Sequence, residues 1–385
     1  MTVLTQDQIT SLTTLRHELH RHPEISGDEA ETAKRITQEL IVLGADQIWQ
    51  GLGGHGVAAA FNGVGAGPTV LLRCELDGLP IHEISNFAYK SQSEGKGHLC
   101  GHDGHMVSML GVAMALATRP ASGRVILLFQ PAEETGAGAK AVIEDPRWPD
   151  IRPDFAFAYH NVPGRPLGEV GLRQGPGNCA SRGMQILLNG KSSHAAAPED
   201  GVSPGKAMAR LMQDLPGLGK GTIGEGSFAL STLTHARLGE PSFGIAPGQG
   251  ELRVTLRCMT DERMNTLISD ALALVTGHTA DLSIAVHWHD IFLSVYNDAK
   301  ATDIARQVAI AQGQAVYEMP TPMRWSEDFG RIGLDGAKAA MLYVGAGETH
   351  PQLHNPDYDF PDALIPVVAD LFNGIVVEIL GGAST

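Results

Sequence analysis

Arg124-Val125-Ile126-Leu127-Leu128-Phe129-Gln130 runs straight into Pro131-Ala132-Glu133-Glu134-Thr135-Gly136, and this junction decides the fold. Five consecutive apolar residues between Arg124 and Gln130 suit a strand buried on both faces, as in a parallel sheet covered by helices. In such sheets, functional groups gather just beyond the carboxyl ends of the strands. Two adjacent carboxylates at that place can divide labour, one binding a metal ion and the other taking a proton from water. Held so close, they repel one another unless a cation sits between them. A solvated acidic loop is the other reading of the same residues.

The same texture extends on both sides. Helical spacing over 28–43 places Ile36, Leu40 and Leu43 on one stripe, and 57–61 and 69–76 read as strands. The Met-, Leu- and Ala-rich run 105–117 predicts a helix, 138–143 a short helix and 155–159 another strand. Past Gly175-Pro176-Gly177-Asn178 the pattern changes. Strands are expected at 184–188, 228–238, 251–258 and 282–288, with helices at 204–215 and 261–275. The first texture then returns, as helix 298–312, strand 341–344 and helix 362–380. The expected fold is α/β, a mostly parallel sheet covered by helices, interrupted by a smaller α+β domain. The expected boundaries are 1–179 and 291–385 for the two parts of the main domain and 180–290 for the insertion.

Metal-type residues cluster at the joints of this scheme. His98-Leu99-Cys100-Gly101-His102-Asp103-Gly104-His105 packs three imidazoles, a thiol and a carboxyl into eight residues ahead of a helix. Glycine lets the backbone turn so that Cys100 and His102 can face one ion, and thiolate with imidazole suits zinc or a similar transition metal. A capped helix start with a buried thiol would use the same residue types. His160 follows the strand 155–159, His354 lies beyond the strand 341–344 with a further histidine at His350, and Asp77 ends the strand 69–76. A strand-terminal Asp can orient a ligand His through its second nitrogen. Asp77, Glu133 with Glu134, His160 and His354 thus end four strands that could converge on one crevice.

Bulk properties narrow the class. The 385 residues carry a net charge of −15 and no basic run, which argues against nucleic acid and anionic membranes. No uncharged apolar stretch reaches spanning length. Cys74, Cys100, Cys179 and Cys258 are scattered and form no disulfide framework. Residues 6–20 are polar and amphipathic, unlike a signal peptide. A cytoplasmic location is expected.

The ordered motifs resemble the two-metal aminoacylase and carboxypeptidase superfamily, in its branch containing hippurate hydrolase and the hydrolases of indole-acetyl amino acids. They are His20-Arg21-His22-Pro23-Glu24, Leu72 to Pro80, His98 to His105, Phe129 to Glu134, Ser193-His194-Ala195-Ala196, Trp325 to Phe329 and Leu353-His354. The resemblance implies two divalent metal ions per chain, zinc or manganese first and cobalt or nickel next. It implies ligand roles for Cys100, His102, Glu134, His160 and His354, a general-base role for Glu133 and a supporting role for Asp77. It further implies that His194 polarises the scissile carbonyl and that the inserted domain makes a homodimer. The implied activity is cleavage of the amide bond of an N-acyl amino acid or similar small carboxylate-bearing amide. Two departures stand out. Glu75-Leu76-Asp77 replaces an Asp-Met-Asp pattern, and Gly244-Ile245-Ala246-Pro247 replaces Asn-Val-Ile-Pro, so the substrate-contacting Asn is absent. A dipeptidase or carboxypeptidase acting on a free peptide is an alternative reading, and the missing Asn leaves open a hydrolase of carbamoyl, amidine or aryl amine groups. A non-catalytic metal-binding protein is a further reading. Arg257 is a candidate for pairing with a substrate carboxylate.

Overall fold

Two compact units make up the computed structural model, which describes residues 2–279 and 281–382. One unit comprises Met1–Gly177, Val295–Met319 and Asp328–Thr385, and the other Asn178–Ser294 with Pro320–Glu327.

In the first unit an eight-stranded sheet runs in the order Gln47–Leu52, Gly56–Asn62, Ser122–Gln130, Gly65–Glu75, Phe155–Pro163, Lys338–Gly347, Val170–Leu172 and Val316–Glu318. The four central strands, from Ser122–Gln130 to Lys338–Gly347, are mutually parallel. Gln47–Leu52 and Gly56–Asn62 join one side antiparallel. The expected α/β class is therefore what the chain adopts. Val125 to Gln130 are fully buried, as the apolar run requires.

Helix His102–Ala115 is buried from His102 to Ala113, so it lies within the core rather than over it. It begins three residues earlier than its apolar run predicts, because Gly101 at φ +96° forms its N-cap. Gly104 is needed for packing: a Cβ there would stand 2.1 Å from Phe360 Cγ. Strand Phe155–Pro163 runs past the expected end at Tyr159. Its pairing with Lys338–Gly347 carries on through His160 and Asn161, which puts His160 inside the strand.

The second unit is a four-stranded antiparallel sheet in the order Ala229–Leu238, Gln249–Cys258, Ala180–Asn189, Ser283–Phe292. Helices Gly205–Asp214 and Asp261–His278 bury Leu211, Met264, Leu267 and Ala271 against Met184, Ile186, Leu252 and Val254. A two-stranded ribbon, Ser193–His194 with Ile245–Ala246, completes it. Among the described residues no helix is long and apolar enough to cross a membrane.

Candidate active site

Because the central strands are parallel, their carboxyl ends open on one edge of the sheet, and the first unit gathers its metal-type side chains there. Cys100, His102 and His160 bring ligand atoms within 4.8 Å of one another, as do Cys100, Glu134 and His354, and His102, Glu133 and Glu134. The first two groups share Cys100 and the last two share Glu134.

Backbone carbonyls orient two of the imidazoles. His102 Nδ1 lies 2.8 Å from the carbonyl oxygen of Asp77, and His160 Nδ1 lies 2.8 Å from that of Asn161. A carbonyl only accepts, so Nδ1 carries the hydrogen in both rings and Nε2 is turned to the cluster. His160 Nε2 is 3.3 Å from Cys100 Sγ, and His102 Nε2 is 3.9 Å from Glu134 Oε1. His354 occupies the left-handed region at φ +65°, held by its N–H bond to Leu99 O at 2.8 Å. Its Nε2 comes within 3.6 Å of Glu134 Oε2.

The carboxylate turn is anchored from below. Ala132, at φ +48°, donates its N–H to Glu29 Oε1 (2.8 Å). Glu134 N–H donates to Asp77 Oδ2 at 3.0 Å, and Ser26 donates to the same oxygen at 2.7 Å. Such strain at a non-glycine residue persists only where the surroundings over-determine it. Neither Glu29 nor Ser26 was singled out from sequence, since nothing local ties either residue to a loop about a hundred positions away.

This donor set fits divalent metal ions. Buried Asp77 Oδ1 and His102 Nε2 have no hydrogen-bond partner, and orphaned buried polar atoms are costly. Burial alone would depress His102. The charge of Glu75, the hydrogen bond of Asp77 and the charge of Glu134 outweigh it and hold the imidazole at about 10. Burial, and after it the charges of Glu134 and Glu133, push the Cys100 thiol well above its usual range. The pocket thus favours positive charge and disfavours uncompensated negative charge, which a cation reverses.

His350 stands apart from these groups, its Nε2 2.5 Å from the Asp359 carbonyl. His194, Gly244 and Arg257 belong to the second unit. His194 is exposed on the ribbon and its Nδ1 accepts from Ala196 N–H at 3.0 Å, which leaves Nε2 to carry the hydrogen. Gly244 accepts at its carbonyl from Ala195 N–H at 3.0 Å. Arg257 donates to Ser326 Oγ at 2.8 Å and has no carboxylate partner among the described residues.

A second polar cluster buttresses the His102 helix. His20 is buried, with Nδ1 2.8 Å from Asp103 Oδ2 and Nε2 3.4 Å from Glu83 Oε1. Burial would lower His20, but Asp103 by charge and hydrogen bond, and then Glu83, raise it to about 9. A pKa raised on folding contributes stability that is complete below the unfolded value of 6.5 and is lost as pH rises through about 9. The stability measured by denaturant unfolding is therefore expected to fall by on the order of 3 kcal/mol across that window. His20→Asn should flatten the slope, and an equal slope in that variant would refute the assignment.

Parallel strand ends and one helix start thus deliver a thiol, imidazoles and paired carboxylates to a single spot, the make-up of a metal-dependent hydrolase. The chain belongs to peptidase family M20/M25/M40, whose family model matches residues 71–378. It is 29% identical to the N-acetylcysteine deacetylase of Bacillus subtilis, over 96% of this chain and 97% of that protein. Its identity to the hippurate hydrolase of Campylobacter jejuni is also 29%, over 95% and 96% of the two chains. Among solved structures it is similar to Bacillus subtilis YXEP, described as a dinuclear metal binding peptidase of the M20 family. The TM-score is 0.81 at 26% identity, covering 98% of this chain and 100% of the other. The family resemblance read from the motifs is confirmed.

Proposed function

We propose that this chain hydrolyses the amide bond of an N-acyl amino acid or a similar small carboxylate-bearing amide. The observation that carries the reading is the pair of ligand groups sharing Cys100, with Glu133 and Glu134 beside His102. Cys100, His102, Glu134, His160 and His354 would hold two divalent metal ions, zinc or manganese. Ions so placed supply Lewis acidity, acidifying a water and polarising the amide carbonyl. Asp77 fixes His102 through its backbone carbonyl and the Glu134 segment through its carboxylate. Glu133 accepts the proton of the attacking water and delivers it to the departing amine. His194 offers Nε2–H to the carbonyl oxygen as charge develops there, and Arg257 takes the substrate carboxylate. Support for the acyl amino acid class comes from the names of the relatives, a deacetylase and hippurate hydrolase. The second unit would mediate a homodimer. Four unpaired, buried cysteines suit a reducing, cytoplasmic setting.

Gly244 tests the substrate side. A Cβ there meets nothing within 4 Å, and its φ lies outside the left-handed region. Gly244→Asn should therefore leave the melting temperature unchanged. One restored substrate hydrogen bond should raise kcat/KM for N-acetyl amino acids by roughly 3–10-fold. Unchanged kinetics with every N-acyl substrate would remove residue 244 from the binding site. The reading as a whole is tested by metal-dependent amine release from N-acyl amino acids.

A further inference from the structure

Behind the ligand cluster runs a continuous chain of buried polar bonds that the proposed chemistry does not use. His105 follows His102 by one helical turn. Its Nδ1 is 2.6 Å from Glu75 Oε2 and its Nε2 is 2.5 Å from Asn161 Oδ1. Glu75 is paired with Arg73, which also donates to Asp328 Oδ1 at 2.6 Å and to Gln130 Oε1 at 3.0 Å. On the other side, Asn161 Nδ2 donates to the Tyr358 hydroxyl. Glu75, His105, Asn161 and Tyr358 are all fully buried. Each would leave a desolvated group costing about 1–3 kcal/mol if its partner were removed.

Three of the four segments that carry a proposed ligand meet Asn161, the Glu134 turn being held by Asp77 instead. The Cys100–His102 segment meets it twice: a Cβ on Gly101 would stand 2.7 Å from Asn161 Oδ1, and His105 bonds that same oxygen. His160 donates its Nδ1–H to the Asn161 backbone carbonyl. The His354 turn arrives through Tyr358, whose N–H bonds Asn355 O at 3.0 Å. Side chains that orient metal ligands from behind typically govern 10–100-fold in affinity.

We propose that Asn161, seated by the Glu75–His105 pair, is the positioning residue that sets the spacing of these three segments and thereby the metal affinity of the centre. The proposal rests on the ligand reading above. Among the described residues Asn161 reaches the ligands through its carbonyl, Gly101, His105 and Tyr358, so it acts through them. A merely structural role would alter unfolding and leave the ligand geometry of the folded protein as it is.

Cobalt(II) added to the metal-stripped full chain reports this directly. Chelator competition gives its affinity, and absorption from thiolate to cobalt reports the bond to Cys100. Asn161→Leu should weaken cobalt binding by about 10–100-fold and shift the thiolate band. Tyr358→Phe, which deletes one hydroxyl and keeps the ring, should weaken it by roughly 3–10-fold and decides the matter if Asn161→Leu does not fold. Folded variants with wild-type affinity and spectrum would overturn the proposal. Wild-type protein that binds cobalt without a thiolate band would overturn the ligand reading instead.

Discussion

Glu133→Gln is expected to lower turnover by about two to four powers of ten while the metal content stays at the wild-type level. Gln keeps the volume of the side chain and removes its proton affinity, so the water's proton has no acceptor and the leaving amine no donor. The ligand atoms proposed for Glu134, His102 and Cys100 are untouched by the change. Glu133 is buried and lies in the same ligand-distance group as His102 and Glu134, close enough to act on a water held there. Elemental analysis beside steady-state kinetics separates the two quantities. Near-normal turnover in the Gln variant would remove the general-base role, whereas loss of both turnover and metal would make Glu133 a ligand.

Cys100→Ser carries the second large effect. Cys100 is common to two ligand groups, and its Sγ faces His160 Nε2 at 3.3 Å. A serine hydroxyl replaces a soft sulfur donor, which a bound cation would help to deprotonate, with a poor one. Because both proposed ions depend on this atom, affinity should fall by at least about 100-fold, more than an outer partner commands. Equilibrium dialysis against zinc would measure it. Unchanged metal content in the Ser variant would make Cys100 a buried thiol with no ligand role.

Much of the scaffold was legible because local chemistry and long-range packing agree. The run Val125 to Phe129 can only be satisfied by burial on both faces, and the strand it forms lies within the sheet, parallel to Gly65–Glu75 and antiparallel to Gly56–Asn62, with Glu133 and Glu134 just beyond. The polar spacing of Cys100 and His102 around Gly101 likewise anticipated a turn at a helix start. Where expectation and structure part, a non-local force decided. His160 and Asn161 interrupt an apolar run, yet pairing with Lys338–Gly347 keeps their backbone extended. Strand Gln47–Leu52 has a polar, half-exposed face and gains its place from pairing with Gly56–Asn62. His105 read as a third histidine of a cluster. That it bridges Glu75 and Asn161 depends on residues 30 and 56 positions away in sequence. The sequence offers no period or spacing for such a meeting. Glu29 under Ala132 is the same case.

Amine release from a panel of N-acetyl, N-benzoyl and longer N-acyl amino acids, with free dipeptides alongside, tests the proposed activity. The panel is run on metal-stripped protein and again after zinc or manganese is restored. Release is expected from the acylated substrates only, absent after stripping and recovered with metal. No release from any acylated substrate by chain carrying two metal ions would contradict it.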